Sequence, residues 1–259
     1  MSDAAHSDLV RDQFTRQAAA FSAAAMITDD SILATIVDTV APQVSDTVLD
    51  VACGPGIVVC AFAPRCRSAT GIDATPAMLD QARALAARKN LSNVAWDRGD
   101  AYALPYPDGA FTIAVTRYSL HHLTDPLAAL REMMRVCAPG GRVAVIDAYA
   151  SEDPVKAAAY NRVEKLRDPS HARALSLTEL RDLFPATGLP RPRSTLYDLP
   201  AEMGDVLARA FPNPGDEAGI VETFRASAAD DRLGIPVRLD GERIRIAYQA
   251  AILVAGRPR

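Results

Sequence analysis

The chain has 259 residues, 49% apolar and 23% charged, with a net charge of −4, enough for a substantial core and without the positive excess that nucleic acid or anionic membrane would call for. No stretch approaches the eighteen or so consecutive apolar residues of a membrane span, and the N-terminal MSDAAHSDLVRDQ lacks a basic segment followed by an apolar run, so a cytoplasmic protein is expected. Cys53, Cys60, Cys66 and Cys137 form no C-x-x-C pair, which argues against a disulfide framework or a structural zinc site.

Residues 6–41 read as two helices, the second opening on tandem aspartates. The first carries Phe14 and Phe21 seven apart with Gln17 between them on the same face. That face serves either core packing or a lid whose aromatics cover a cation. Strands follow near 46–52 (DTVLDVA), 67–73 (RSATGID), 94–98 (VAWDR), 110–116 (AFTIAVT) and 142–149 (RVAVIDAY). Between them, 75–90 starts with Thr75 as N-cap and Pro76 at the first helical position, and 125–137 repeats the pattern with Asp125 and Pro126 until PGG stops it. Such alternation predicts βαβ units and a parallel sheet, whose right-handed crossovers bring the loops after each strand to one edge. Beyond the sheet, 153–187 is helical in pattern but interrupted by RDPSHARALS; a strand near 192–198, helical segments around 200–229 and a hairpin turning at Asp240-Gly241 complete the chain. No repeat or long linker divides it, so one domain over 1–259 is the simplest reading, with an exposed edge at 191–198 that permits a homodimer.

The segment VLDVACGPG, 48–56, runs from a buried strand into a small-residue loop. Such a loop lets a ligand approach the backbone and the free N–H groups of the next helix. A P-loop would need Lys and Ser or Thr after its last glycine, but Gly56 is followed by IVVC; a dinucleotide fingerprint would need glycine where Val59 stands. The acids point elsewhere. Asp50 suits a cationic ligand group, Asp73 ends the second strand where a carboxylate can accept both hydroxyls of a ribose, and Asp100 follows the third strand. Three acids on one edge suit a nucleoside carrying positive charge.

With VLDVACGPG, GIDATPAMLDQAR, GDAYALPYPDGAFTIAV, SLHHLTDP and MMRVCAPGGRVAVID in order over roughly 45–150, the chain resembles the class I S-adenosylmethionine-dependent methyltransferases. Within them it is most similar to the small-molecule branch of the ubiquinone and menaquinone C-methyltransferases. The resemblance implies a Rossmann-like, doubly wound, seven-stranded, mostly parallel sheet, with 1–41 as a helical lid, 45–150 as the cofactor-binding core and 151–259 on the acceptor side. It also implies that Ala52, Cys53 and Gly54 lie under the methionine part of S-adenosylmethionine, with Asp50 near its amino group and Asp73 on the ribose. Ala74 and Met78 would flank the adenine, Asp100 and Ala101 would meet its edge, and Thr116 and Arg117 would close the methionine side. If the first helix is a lid rather than part of the core, Phe21 covers the sulfonium. Ala52 departs from the commonest pattern, which has glycine there; alanine is expected to hold φ below zero. An N-cap role for Asp73 and a surface salt bridge for Arg117 remain open.

Methyl transfer from a sulfonium depends chiefly on placing the nucleophile, and a base is needed only if the acceptor has a proton to lose. His121 and His122, on the cofactor edge, are the candidate bases; as neighbours they are expected to point to different sides, so at most one faces the acceptor, and packing against the sheet edge is the competing role. His171 in DPSH is a further candidate, and Tyr118 can line the pocket. No third ligand at a suggestive spacing supports a metal site. A methyltransferase acting on a small molecule is therefore weighed against the same fold doing other work, as a cyclase or ligand-sensing domain. An RNA or protein methyltransferase is disfavoured, since no basic accessory domain is present and TRYS stands where amino-group methylators carry N-P-P-Y.

Overall fold

The computed structural model describes residues 3–22 and 28–259. Its centre is one sheet of β1 (Thr47–Val51), β2 (Ser68–Asp73), β3 (Val94–Arg98), β4 (Phe111–Arg117), β5 (Cys137–Ala148), β6 (Arg193–Glu202), β7 (Val237–Asp240) and β8 (Arg243–Gly256). The order is β3-β2-β1-β4-β5-β8-β6, with β7 also on β8. β1 to β5 run parallel, and β8 is antiparallel to β5, β6 and β7. The sheet thus has eight strands rather than seven. β8 outruns β5: its residues 250–256 pair with β5, which leaves 243–246 free to take β7 as a hairpin partner. Strand order reverses at β1, which lies between β2 and β4, and a cleft opens at the carboxyl ends of strands flanking such a reversal.

The helices are α1 (Asp3–Ser22), α2 (Asp30–Val40), α3 (Ile57–Phe62), α4 (Pro76–Arg88), α5 (Pro126–Val136), α6 (Pro154–Arg167), α7 (Leu177–Ala186), α8 (Met203–Leu207) and α9 (Glu217–Asp230). Their starts follow local chemistry. Asp29 caps α2 through Ser31 and Ile32 N–H, Asp125 caps α5 through Ala128 N–H, and Ser176 with Glu179 forms a capping box at α7. Thr75 occupies the N-cap of α4 but makes no side-chain cap bond.

Strand parity decides which helix each residue meets. Leu49, Val51, Val143 and Val145 pack with Leu130, Met133 and Phe184 of α5 and α7, whereas Val48, Ile113, Ala144 and Ile146 pack with Ile36, Val37, Val59 and Phe62 of α2 and α3. A third cluster joins Tyr160, Leu199, Met203, Val206, Phe224, Ile246 and Tyr248. It raises a wall beyond the end of β5.

Candidate active site

The loop after β1 turns through left-handed backbone at three positions, Ala52 (φ 55°), Gly54 (φ 52°) and Gly56 (φ 76°). Ala52 therefore does not hold φ below zero as expected. The turn dictates the conformation, and a side chain there costs about 1–2 kcal/mol. Gly56 has a second reason to lack a side chain, since a Cβ would collide with the Trp96 ring and approach Cβ of Ala82 to 2.8 Å. The same indole lies across Gly71, whose added Cβ would also come within 2.7 Å of Cys53 Sγ.

Asp50 and Asp73 meet this loop differently. Asp73 accepts N–H groups of Gly54 and Thr75, both at 2.8 Å, and so ties the first loop to the start of α4. Burial raises its pKa while these two donors oppose the rise. Asp50 is 1% exposed, and neither carboxylate oxygen has a hydrogen-bond partner among the described residues. Burial and the neighbouring Asp73 push its pKa well above the usual range, with the Arg117 charge acting in the opposite direction. A buried carboxylate left in this state is costly unless a cation meets it.

Asp50, Ala52, Cys53, Gly54, Asp73, Ala74, Met78, Asp100, Ala101 and Arg117 line one cleft. Asp100, exposed at its mouth, accepts the Tyr102 N–H at 2.9 Å. Arg117 is no surface salt bridge: it is buried, with its guanidinium 4.5 Å from the centre of the Tyr118 ring. Thr116 does not line the cleft; its hydroxyl donates to Val51 O at 2.7 Å and shares a hydrogen bond with Ser119, because strand parity turns it into the sheet. The Phe21 side chain lies outside the described residues. α1 contributes Phe14 to the wall, edge-on to His122 at 4.8 Å, together with His6 and Val10, which the sequence pattern did not single out.

A second cavity adjoins the first and shares Phe14, Tyr118 and His122 with it. Both His121 and His122 line it, contrary to the expectation for neighbours. They occupy a 3-10 turn, Leu120–His122, rather than a strand, which holds their ring centroids 4.3 Å apart. His171 completes the group, 5.7 Å from His121 and 6.4 Å from His122. No cluster among the described residues has the geometry of a metal site.

Each ring is held from behind. His121 Nδ1 donates to Asp147 Oδ1 at 2.5 Å, and Asp147, at the end of β5, also accepts Leu120 N–H at 2.8 Å. Burial lowers the His121 pKa, but the Asp147 charge and hydrogen bond outweigh it and leave the pKa above the ordinary imidazole value. His122 Nδ1 meets Ser170 Oγ at 3.1 Å, while that hydroxyl donates to Asp168 Oδ1 at 2.5 Å. Burial and the charge of His121 push His122 down to about 4. α1 closes over the group: His6 Nε2 donates to His122 O at 2.8 Å, Gln13 to Ala210 O at 2.5 Å, and Gln17 to Asp168 Oδ2 at 3.1 Å. Asp147 went unnoticed in the sequence, although its place resembles those of Asp50 and Asp73, acids at the carboxyl ends of parallel strands.

Residues 49–145 match the family described as methyltransferase domain. Over 246 residues, 94% of this chain and 96% of the other, the sequence is 32% identical to YcgJ, an uncharacterized methyltransferase of Bacillus subtilis (strain 168). This chain belongs to the class I S-adenosylmethionine-dependent methyltransferases. The crystal structure of YcgJ shares its fold with a TM-score of 0.82 at 30% identity, covering 89% of this chain and 99% of that one. The ubiquinone/menaquinone biosynthesis C-methyltransferase UbiE of Roseobacter denitrificans (strain ATCC 33942 / OCh 114) is 33% identical over 129 residues, 49% of this chain and 52% of its own. The cofactor of the methyltransferase is S-adenosylmethionine. The Asp50 carboxylate, without a hydrogen-bond partner among the described residues, fits its cationic amino acid part, and the acids at the end of β2 and after β3 fit a nucleoside. No helix among the described residues is long and apolar enough to cross a membrane.

Proposed function

We propose that this methyltransferase transfers a methyl group to a small organic molecule seated in the second cavity, with His121 accepting the proton the acceptor loses. The observation that carries this reading is the His121–Asp147 pair, a neutral-capable base lining a cavity that shares three residues with the cofactor cleft.

In the cleft, Asp50 takes the ammonium group of the cofactor, and Asp73 accepts the ribose hydroxyls with the lone pairs that Gly54 and Thr75 leave. Ala74, Met78 and Ala101 border the adenine, with Asp100 near its amino group and Arg117 toward the methionine end. Bound S-adenosylmethionine supplies an electrophilic methyl group on a positively charged sulfur. The low basicity of His122 keeps that ring neutral at the junction, so no second positive charge stands beside the sulfonium. Asp147 fixes the Nδ1–H tautomer of His121 and so presents Nε2 as the proton acceptor. α1 walls both compartments, the first with His6, Val10 and Phe14 and the second with Phe14 and Gln17, and an apolar surround favours a step in which positive charge disappears.

We also take 1–259 as one methyltransferase domain, and the four buried, unpaired cysteines support a reducing, cytoplasmic location. The test is methyl transfer from radiolabelled S-adenosylmethionine to a fractionated metabolite extract, with mass spectrometry of the labelled product. Protein that binds the demethylated cofactor yet labels nothing small, while labelling protein or RNA, would overturn the assignment.

A further inference from the structure

His171 is 2% exposed and lines the acceptor cavity, and its Nδ1 is a buried atom without a hydrogen-bond partner among the described residues. The neighbouring amide decides which nitrogen carries the proton. Asn161 Nδ2 donates to Ala157 O and Ala174 O, both at 3.0 Å, while its Oδ1 accepts Ala174 N–H at 2.6 Å. The amide orientation is thereby fixed, so Oδ1 can only accept from His171 Nε2 at 2.8 Å. A neutral imidazole has one N–H. Nδ1 is therefore a bare lone pair, and burial together with the charges of Arg167 and Lys165 keeps the ring neutral.

His121 presents the same arrangement from the other side, since its Nδ1 proton is engaged by Asp147 and Nε2 remains bare. Backbone sets the distance between the two rings. Ala172 and Arg173 N–H both donate to His121 O, at 2.8 and 3.0 Å, which pins the segment after His171 to the turn carrying His121. The cavity's carboxylates already have donors: Asp168 receives Gln17 and Ser170, and Glu164 receives Arg167 and Tyr248. The other walls include Phe14, Tyr118, Tyr160 and Tyr248, surfaces suited to a flat ring.

We propose that the acceptor is a 1,2-dihydroxyarene, one hydroxyl giving its proton to His121 Nε2 and its neighbour donating a hydrogen bond to His171 Nδ1. This rests on the methyltransferase reading of the cavity. In the transfer, the first hydroxyl loses its proton to His121 while an oxygen electron pair forms the bond to the methyl carbon. The pair from the broken carbon–sulfur bond stays on sulfur, and the proton passes later to solvent. The second hydroxyl is retained, so the product is a monomethyl ether. His171 acts as a positioning and specificity residue: an acceptor lacking the second donor leaves its nitrogen buried and unmet.

The experiment titrates full-length protein with catechol, phenol and 2-methoxyphenol, with and without saturating S-adenosylhomocysteine. Catechol should bind about tenfold or more tightly than either of the others, a gap that one buried hydrogen bond supplies. His171→Leu should bring catechol down to the level of phenol while S-adenosylhomocysteine binds as before. Because that variant can disturb packing, 15N spectra of imidazole-labelled wild-type protein give an independent readout. The Nδ1 of His171 should appear unprotonated and should shift on addition of catechol but not of phenol. Equal binding of the three compounds, no binding of any, a protonated Nδ1, or an Nδ1 signal that ignores catechol would each overturn the proposal. Failure of S-adenosylhomocysteine to bind would instead count against the cofactor assignment, which the histidine spectra of the cofactor-free protein do not depend on.

Discussion

The cofactor cleft and the acceptor cavity meet at Phe14, Tyr118 and His122 but are assembled by different means. The cleft is made largely from loops that directly follow β1, β2, β3 and β4, and its geometry comes from backbone: left-handed turns, a carboxylate bridging two loops, and glycine where Trp96 leaves no room. The cavity is gathered from α1, the histidine turn, α6, the 168–174 segment, β6, α8 and β8, and its character comes from side chains. The matched family region, 49–145, spans most of the first and, from the second, takes in only Tyr118, His121 and His122. The difference teaches that a common reagent can be held by a short run of ordered motifs, whereas the cavity proposed for the molecule it modifies is built from residues scattered from 14 to 248.

The largest effect expected of a single change separates the two regions outright. Asp147→Asn should lower turnover about 10²–10⁴-fold, because His121 loses its tautomer and much of its basicity, while cofactor affinity stays within about threefold. The wild-type rate should fall as pH drops through a His121 pKa above the ordinary imidazole value, since only the neutral ring accepts a proton; in the variant that inflection should move to lower pH. Rapid-quench rates across pH measure both, and an unchanged single-turnover rate would remove His121 from proton transfer.

Asp50→Asn should act on the other region alone. Loss of the charge facing the ammonium should weaken S-adenosylhomocysteine binding by about 1.5–3 kcal/mol, roughly 10- to 150-fold. Wild-type affinity should decline as pH falls through the raised Asp50 pKa, because a protonated carboxyl no longer pairs with a cation, and the variant should lack that decline. The ligand-free variant should be at least as stable as wild type, being relieved of a buried charge. Calorimetry in two pH regimes, paired with thermal melts, decides it; a destabilised variant would mean that Asp50 is structurally engaged.

Asp73→Ala makes a useful contrast, since it removes the acceptor of two backbone N–H groups as well as a ligand contact. It should lose about 1–3 kcal/mol of folding stability in addition to affinity. Equal stabilities of the Asp50 and Asp73 variants in denaturant titrations would erase the distinction drawn between the two acids. The smallest effect belongs to Ala52→Gly. Relief of a left-handed alanine, about 1–2 kcal/mol, is partly offset by the greater freedom of glycine in the unfolded chain, leaving a net stabilisation of about 0.5–1 kcal/mol. A loss of stability would show that the loop conformation is set by contacts of the Ala52 methyl.

Much of the first region was legible because its signals are local. Short apolar strand runs, the aspartate caps of α2 and α5, and acids at strand ends each occupy a few consecutive residues. Thr116 was misread for want of strand parity, since neighbours at a strand end face opposite ways and only Arg117 reaches the cleft. The histidine pair was misread because adjacent side chains were expected to diverge, whereas the 3-10 turn brings both rings into one cavity. Ala52 was judged by residue preference where the turn prevailed. The hairpin of β7 and β8 was legible from Asp240-Gly241, and the seven strands implied by the resemblance leave β7 out because its place in the sheet depends on how far β8 extends past β5. Nothing local could have joined His171 to Asn161 or to His121, since those contacts depend on how α6 and the segment after it lie over the sheet edge.

Trp96 is the chain's single tryptophan, and its indole rests against Gly56 and Gly71 at the root of the cofactor loop. Its fluorescence is therefore a one-site optical reporter of that loop. Ligand titrations followed by emission read events in the cleft without any attached dye. Melting curves followed at the same wavelength track the cofactor region alone, and set beside far-ultraviolet dichroism, which averages over every helix and strand, they reveal whether the two halves of the enzyme come apart together or in sequence.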